Sequence, residues 1–216
     1  MSKSPGKIEK SARISSDIPK KTVYRLSLYL RCLGLMVAKR EGIVSSTALA
    51  SGAGVQSAQL RRDLAYCGPL GKRGTGYDVV ILRNRLEEIL GRASLQPVIL
   101  VGVGNLGQAL LSYKGFAREG FEIVAAFDLK AQKPKEGRLV VRGMGSMRGL
   151  VRRREIRMAI LSVPGSAAQI VAEQLAEAGI QAILNFSPVV LHLSETVAVN
   201  NVNLAIELEN LSYFAR

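Results

Sequence analysis

The sequence predicts an α/β protein in two parts: a small helical part closed by a basic hairpin, then a parallel sheet with helices between its strands. Past residue 96, apolar runs alternate with helix-patterned segments, as right-handed crossovers in a parallel sheet require. Between residues 45 and 67, two short helical patterns flank a glycine-bearing turn. Charge is uneven. Residues 1–96 carry 17 Lys/Arg against 7 Asp/Glu, a net of +10, whereas residues 97–216 carry 13 against 10, a net of +3. The two parts therefore meet different partners, and the basic one suits a polyanion. A generally basic protein is the plainer alternative.

The strongest unit runs from Gln96 to Asp128. An apolar run, Pro97 to Val101, stops at Gly102-Val103-Gly104-Asn105-Leu106-Gly107. A helical segment follows from Asn105 to about Tyr113, then a second apolar run, Phe121 to Phe127, closes on Asp128. Gly102 permits a tight turn off the strand. Gly104 leaves room for a pyrophosphate against the backbone, and Gly107 lets helix and strand pack closely. The helix N-terminus offers N–H groups and a positive dipole end to phosphates. Asp128 lies at the spacing of a carboxylate that binds a ribose 2′-OH, and it would repel a 2′-phosphate, favouring NAD over NADP. This is the outline of a Rossmann-like dinucleotide site. A glycine turn that serves only helix–sheet packing is the competing explanation.

At 216 residues with 48% apolar content, the chain can build one large domain or two small ones. Cys32 and Cys67 form no C-x-x-C and sit in apolar contexts, as buried free thiols do in a reducing compartment. No apolar run is long enough to span a membrane. The N-terminus lacks an apolar signal-peptide core, so a cytoplasmic location is expected. No metal site is assigned.

Taken from the start, residues 1–18 read as a disordered basic tail. Pro19 to Arg40 shows a helical stripe of Val23, Leu26, Leu30, Leu33 and Val37, widened by Leu35 and Met36. Ser45 or Ser46 caps the next short helix, and Gly52 and Gly54 turn the chain. A further helix runs from about Ser57 to Tyr66 with Leu60, Leu64 and Cys67 inward. Ser57, Gln59, Arg61 and Arg62 are left largely outward, as on a helix lying in a major groove. An ordinary solvated helix face explains the same pattern. The segment Gly71-Lys72-Arg73-Gly74-Thr75-Gly76-Tyr77 then reads as a basic hairpin tip, a wing, before the apolar run Val79 to Leu82. Asn84 to Arg92 forms a last helix. Residues 19–92 are thus a winged-helix domain expected to bind double-stranded DNA, with a linker near residues 91–96.

Beyond Asp128, Lys130 to Arg138 is a charged loop and Leu139 to Val141 a short strand. Met144 to Arg154 holds a short helix with a basic run, and Ile156 to Val163 is a strand ending at Pro164. Ser166 to Ala178 is a helix with Ile170, Val171 and Leu175 inward. Ile180 to Phe186 and Glu195 to Val199 are the remaining strands. Ligands of such sheets bind at the carboxyl ends of strands, which brings Val163, Pro164, Asn185 and Phe186 toward the glycine loop. Residues 93–200 make the nucleotide-binding domain. The terminal helix, Asn203 to Phe214, is apolar around Leu204, Ile206, Leu208 and Leu211, as if a partner subunit buried it.

Residues 18–215 together resemble the Rex family of redox-sensing transcriptional repressors. The resemblance rests on V-S-S-T-A-L-A (44–50), A-Q-L-R-R-D-L-A-Y-C-G (58–68), G-K-R-G-T-G-Y-D-V (71–79), V-G-V-G-N-L-G-Q-A-L (101–110), Y-K-G-F (113–116), I-V-A-A-F-D (123–128), A-G-I-Q-A-I-L-N-F-S-P (178–188) and L-S-Y-F (211–214). It implies a homodimer with residues 201–216 as a swapped C-terminal helix. It also implies binding to a palindromic operator and release of that DNA when NADH is bound. It assigns the pyrophosphate loop to Gly102–Gly107, the ribose acid to Asp128, and DNA-facing cations to Arg61, Arg62, Lys72 and Arg73. Arg25 and Tyr113 match two members of a cofactor-responsive trio. The third is Asp in the family, where this chain has Asn203, which keeps the shape and loses the charge. Gln56 stands where the family commonly has a Thr cap.

The resemblance and simple electrostatics suggest how NADH and NAD+ are told apart. The oxidised ring is cationic and the reduced ring neutral, so an apolar crevice near Phe186 and the partner subunit's Leu204 would favour NADH. A dehydrogenase is the enzyme alternative, but it needs an acid or base near the ring. His192 is the one histidine, its apolar context suggests a structural role, and no Y-x-x-x-K set is present. A CoA-sensing or other nucleotide-sensing DNA-binding protein, or a Rossmann half with a purely structural role, are the remaining readings.

Overall fold

The computed structural model describes residues 18–72, 74–92, 94–131 and 139–215. The chain divides into two compact units, residues 1–94 and 95–216. The expected tail up to residue 17, the wing cation Arg73, the side chain of Lys72 and residues 132–138 of the charged loop lie outside the described residues.

In the first unit, α1 spans Lys20–Ala38, β1 Ile43–Val44, α2 Ser46–Gly52 and α3 Ser57–Ala65. They are followed by β2 (Gly71–Lys72), β3 (Gly76–Asp78) and α4 (Val79–Ile89). Pro19 opens α1: its missing N–H would be unpaired there in any residue, and its carbonyl accepts from Thr22 and Val23. The buried face of α1 is Thr22, Leu26, Tyr29, Leu30 and Leu33. Val23 and Leu35, expected on or beside that stripe, are exposed, and Tyr29 takes an interior place. Leu26, Leu30 and Leu33 pack with Leu49, Leu60, Leu64, Leu82 and Leu86 into one core. Each such leucine contributes roughly 2 kcal/mol by leaving water. The strands form an antiparallel sheet in the order β1-β3-β2, with β2 and β3 as the hairpin.

The apolar run Val79 to Leu82 belongs to α4, which therefore starts five residues before the expected Asn84. Asp78 is its N-cap, accepting from the Ile81 amide at 2.9 Å, so a capping carboxylate converts a strand-like run into a first helical turn. Only the i, i+3, i+7 set Val79, Leu82 and Leu86 is buried; Val80 and Ile81 face out.

The second unit contains β4 (Gln96–Val101), α5 (Asn105–Ser112), α6 (Gly115–Arg118), β5 (Phe121–Asp128) and β6 (Val141–Gly143). Then come a 3-10 turn at Met144–Ser146, α7 (Met147–Arg153), β7 (Met158–Leu161) and α8 (Gly165–Ala178). β8 (Ala182–Asn185), β9 (Ala198–Asn201) and α9 (Leu204–Phe214) end the chain. All six strands run parallel in the order β6-β5-β4-β7-β8-β9. Both faces are covered, as a parallel sheet demands. Ile99 and Val101 pack on one side with residues of α7 and α8. Val98 and Leu100 pack on the other with Leu110, Leu111 and Phe116 of α5 and α6.

Several boundaries differ from expectation. β6 lies at Val141–Gly143 rather than 139–141, and β9 at Ala198–Asn201 rather than 195–199. In α8 the inward residues are Ala168, Val171, Ala172, Leu175 and Ala178, while Ile170 is exposed. The inward residues recur at i, i+3, i+4, i+7 and i+10, one helical stripe, and Ile170 falls outside it.

Candidate nucleotide site and nucleic-acid interface

A cavity of about 500 Å³ opens at the C-terminal ends of β4 and β7. The strand order reverses between them, the place where open parallel sheets bind ligands. Gly102 follows β4 with φ +92°, and a side chain there would strike the carbonyl of Ser162. A Cβ on Gly107 would strike the carbonyl of Gly102, so α5 lies directly on the turn. Around Gly104 the Cβ position is open. Gly104 is the N-cap of α5, and no side chain caps that helix, which leaves its first amides for a ligand. The loop is fixed from two sides. Asp128 accepts from the Val103 amide at 2.7 Å, and the Ser162 hydroxyl donates to the Gly102 carbonyl at 2.8 Å. Leu129, Met144 and Val171 give the cavity an apolar wall beside the acid.

Of the residues expected at this site, Gly102, Gly104, Asn105, Leu106, Asp128, Val163 and Pro164 line the cavity. Val103 and Gly107 are buried behind it and shape the loop. Tyr113, Asn185, Phe186 and Leu204 are not among its lining residues. Tyr113 ends α5, exposed and edge-on to Phe116 at 5.0 Å. Phe186 packs against the core of the α5 face. Leu204 is exposed at the start of α9. Asn185 is fully buried, so its side chain faces inward rather than into the crevice. Its amide group donates to Val189 O and Asn201 Oδ1, and its oxygen accepts from the Ser187 amide. Ser187 in turn donates to Val163 O at 2.7 Å. Asn201 thus connects through Asn185 and Ser187 to a wall of the cavity. Two residues beyond Asn201, Asn203 caps α9, accepting from Ala205 and Ile206 amides.

His192, expected to be structural, is exposed, and its backbone pairs with the Gln169 side chain. Cys67 is buried and Cys32 half-buried, both free. Burial pushes the Cys67 thiol up to about 11, so neither its reactivity nor its charge serves a site at neutral pH.

In the first unit Ser45 caps α2, accepting from Ala48. α3 exposes Arg61 and Arg62, with Ser57 half-buried. Gln59 was expected outward; instead it is half-buried and donates to Asp63 at 2.8 Å. Asp63, which the sequence did not single out, is the hub of the unit. It is 1% exposed. It accepts from Arg25 at 2.6 and 2.7 Å, from the Tyr29 hydroxyl at 2.7 Å and from Thr22 at 3.4 Å. Burial alone would raise its pKa; the bonds from Arg25, Tyr29 and Gln59 outweigh that and hold it below the usual carboxylate range. Burial and the bond to Asp63 raise Tyr29. Arg25, matched by resemblance to a cofactor-responsive trio, thus has its partner on α3. Its neighbours Tyr29 and Asp63 lie 4 and 38 positions away, and only the first separation gives a local signal.

Residues 17–65 match the family model described as the N-terminus of a putative DNA-binding protein, and residues 94–189 match the CoA binding domain. A redox-sensing transcriptional repressor Rex of Pelotomaculum thermopropionicum is 45% identical over 200 residues, covering 91% of this chain and 93% of that one. This chain belongs to the Rex family of redox-sensing transcriptional repressors. Solved Rex-family structures have the same fold. RSP in complex with beta-NAD+ and operator DNA matches with a TM-score of 0.86 at 33% identity, over 93% of this chain and 94% of that one. RSP in complex with beta-NADH matches with a TM-score of 0.79 at 32% identity, over 93% and 95%. Among the described residues no helix is long and apolar enough to cross a membrane.

Proposed function

We propose that this chain is a transcriptional repressor that reads the NADH/NAD+ ratio, holding operator DNA when NADH is low and releasing it when NADH binds. One observation carries this. A glycine loop with an open Gly104, an uncapped α5 and a loop-fixing Asp128 sits in the same chain as a basic helix-turn-helix and hairpin. A Rex-family chain of the same fold was solved with both beta-NAD+ and operator DNA.

The cavity fits a dinucleotide. Gly102–Gly107 and the α5 amides suit a pyrophosphate, Asp128 a ribose hydroxyl, and Leu129, Met144 and Val171 a flat apolar base. The bound coenzyme supplies a ring that is cationic when oxidised and neutral when reduced. An apolar surrounding built from Phe186, Tyr113 and the partner subunit's Leu204 penalises the cation. NADH shifts the protein off DNA only by its differential affinity for the two states. Residues 19–92 serve as the DNA-binding domain, 93–200 as the NAD(H) domain and 201–216 as the dimerisation helix. Leu204, Ile206, Leu208, Leu211, Tyr213 and Phe214 are each at least half exposed on α9, an apolar surface that a second copy would cover. Ser45, Ser46, Ser57, Arg61, Arg62, Lys72 and Arg73 make the DNA surface, and Arg25, Tyr113 and Asn203 relay the cofactor state. The protein acts in the cytoplasm as a regulator rather than an enzyme.

The test is an operator gel shift with NADH, NAD+ and CoA titrated separately. NADH should release the DNA at concentrations where NAD+ and CoA do not. Equal release by NADH and NAD+ defeats redox sensing, and release by CoA alone moves the site to a different ligand.

A further inference from the structure

Asn185 ends β8 as a fully buried polar side chain between two strands, with Leu161 of β7 on one side and Asn201 of β9 on the other. Both of its amide hydrogens are engaged, by Val189 O at 2.9 Å and Asn201 Oδ1 at 2.8 Å. Its oxygen accepts from the Ser187 amide at 2.9 Å. No donor is left for a ligand, so the side chain serves the fold around the cavity rather than its contents. Toward the cavity, Ser187 is buried and its hydroxyl donates to the Val163 carbonyl at 2.7 Å. Val163 and Pro164 line the cavity. Val189 lies against Gly165, where an added Cβ would come within 3.0 Å of the valine Cγ1. The wall is therefore gripped at two points. Away from the cavity, the Val202 amide donates to the Asn185 carbonyl at 2.8 Å, beside the side-chain bond to Asn201. The next residue, Asn203, caps α9.

Apolar contacts across this edge of the sheet would hold β8 and β9 together without fixing their relative position, because burial is non-directional. Hydrogen bonds fix distance and direction, and in an apolar interior a broken one has no water to replace it. We propose that Asn185 is a positioning residue that registers the start of α9 to the cavity wall, so that coenzyme against Val163 and the placement of α9 are coupled through Ser187, Asn185 and Asn201. This deepens the redox-sensing reading above and rests on it. The links are in series. Cutting the chain of bonds at either end therefore removes the same coupling, and cutting both ends removes no more.

The full chain is first used, without NADH, to select a preferred site from a randomised duplex library. Affinity for that duplex is then measured with and without saturating NADH, and NADH affinity is measured without DNA. The variants are Ser187→Ala, Asn201→Ala, Asn201→Asp and the Ser187→Ala/Asn201→Ala pair. Asn201 is exposed and Ser187→Ala removes one hydroxyl, so the variants should fold. The factor by which NADH weakens duplex binding should shrink roughly 5-fold in each alanine variant, and by the same amount in the pair. Duplex binding without NADH, and NADH binding without DNA, should stay close to wild type. Asn201→Asp keeps the acceptor for Asn185 and should recover most of the factor. A wild-type factor in Asn201→Ala, or losses that add in the pair, overturns the assignment. Lowered NADH affinity with an unchanged factor does so as well, since it makes these residues part of the cavity alone. Wild type whose duplex binding NADH leaves unchanged overturns the sensing reading beneath it.

Discussion

Two aspartates, one in each unit, show how the same side chain is placed in opposite settings. Asp63 is sealed in the interior and takes five hydrogen bonds from four residues of its own unit. Asp128 is partly exposed at the tip of β5, bonds the Val103 amide and lines an open cavity. A carboxylate saturated by its own fold holds helices together and has little capacity left for a ligand. A carboxylate that spends one oxygen on the loop beside a cavity retains capacity to accept a further hydrogen bond. Donor count and exposure, rather than residue type, set the sealed acid apart from the one that faces a cavity.

The largest effect expected from this contrast is on Asp63. Asp63→Ala leaves Arg25 without its partner and should cost the first unit about 3–5 kcal/mol, read by urea or thermal unfolding, with operator binding lost in parallel. NADH binding by the second unit should survive, and its loss as well would show that the two roles are not separate. Asp128→Ala should do the reverse. NADH affinity should fall about 10- to 100-fold, the worth of a charge-assisted hydrogen bond or two. Unfolding and cofactor-free operator binding should stay near wild type. NADH fluorescence titration is the check, and an unchanged affinity would remove Asp128 from the site.

Titration gives a finer comparison. Asp63 is depressed below its ordinary 3.8, so its stabilisation is fully present above that pH and is lost as pH falls through the lower folded value. Cys67 is raised from 9.0 to about 11, so its contribution is present below pH 9 and is lost as pH rises toward 11. The unfolding midpoint of the first unit should fall at both ends of this range. Asp63→Asn should lessen the acid side of that dependence, and an acid limb unchanged in that variant would deny Asp63 its role. The smallest effect is at α9. Asn203→Ala removes the cap and should cost about 1 kcal/mol of helix stability, whereas Asn203→Asp should keep it, since either side chain can accept from the Ala205 and Ile206 amides. Circular dichroism melting separates the two.

What was readable in sequence was local. The β4–α5–β5 unit, the Ser45 cap and the 57–66 helix are signalled by glycine spacing, capping residues and periodicity within a dozen positions. Boundaries set by longer-range packing were not. Ile170 faces out because the buried stripe of α8 is Ala168, Val171, Ala172, Leu175 and Ala178, and α4 starts at Val79 because Asp78 caps it. The cavity wall shows the same limit. Gly102, Gly104 and Asp128 were legible from spacing, while Ser162, Leu129, Met144 and Val171 were not, since they come from separate strands and helices that only the assembled sheet brings together.

The sequence by itself determined the two-part α/β plan, the glycine loop with its acid, and the basic helix and hairpin, because each is encoded by neighbours along the chain. Only the tertiary structure decided that Arg25 and Tyr29 converge on Asp63, that Gln59 turns inward, and that Asn185 ties β9 to the cavity wall. Those contacts join residues up to 38 positions apart, and burial in a low-dielectric interior, which no single stretch of sequence reports, is what makes such buried polar bonds strong.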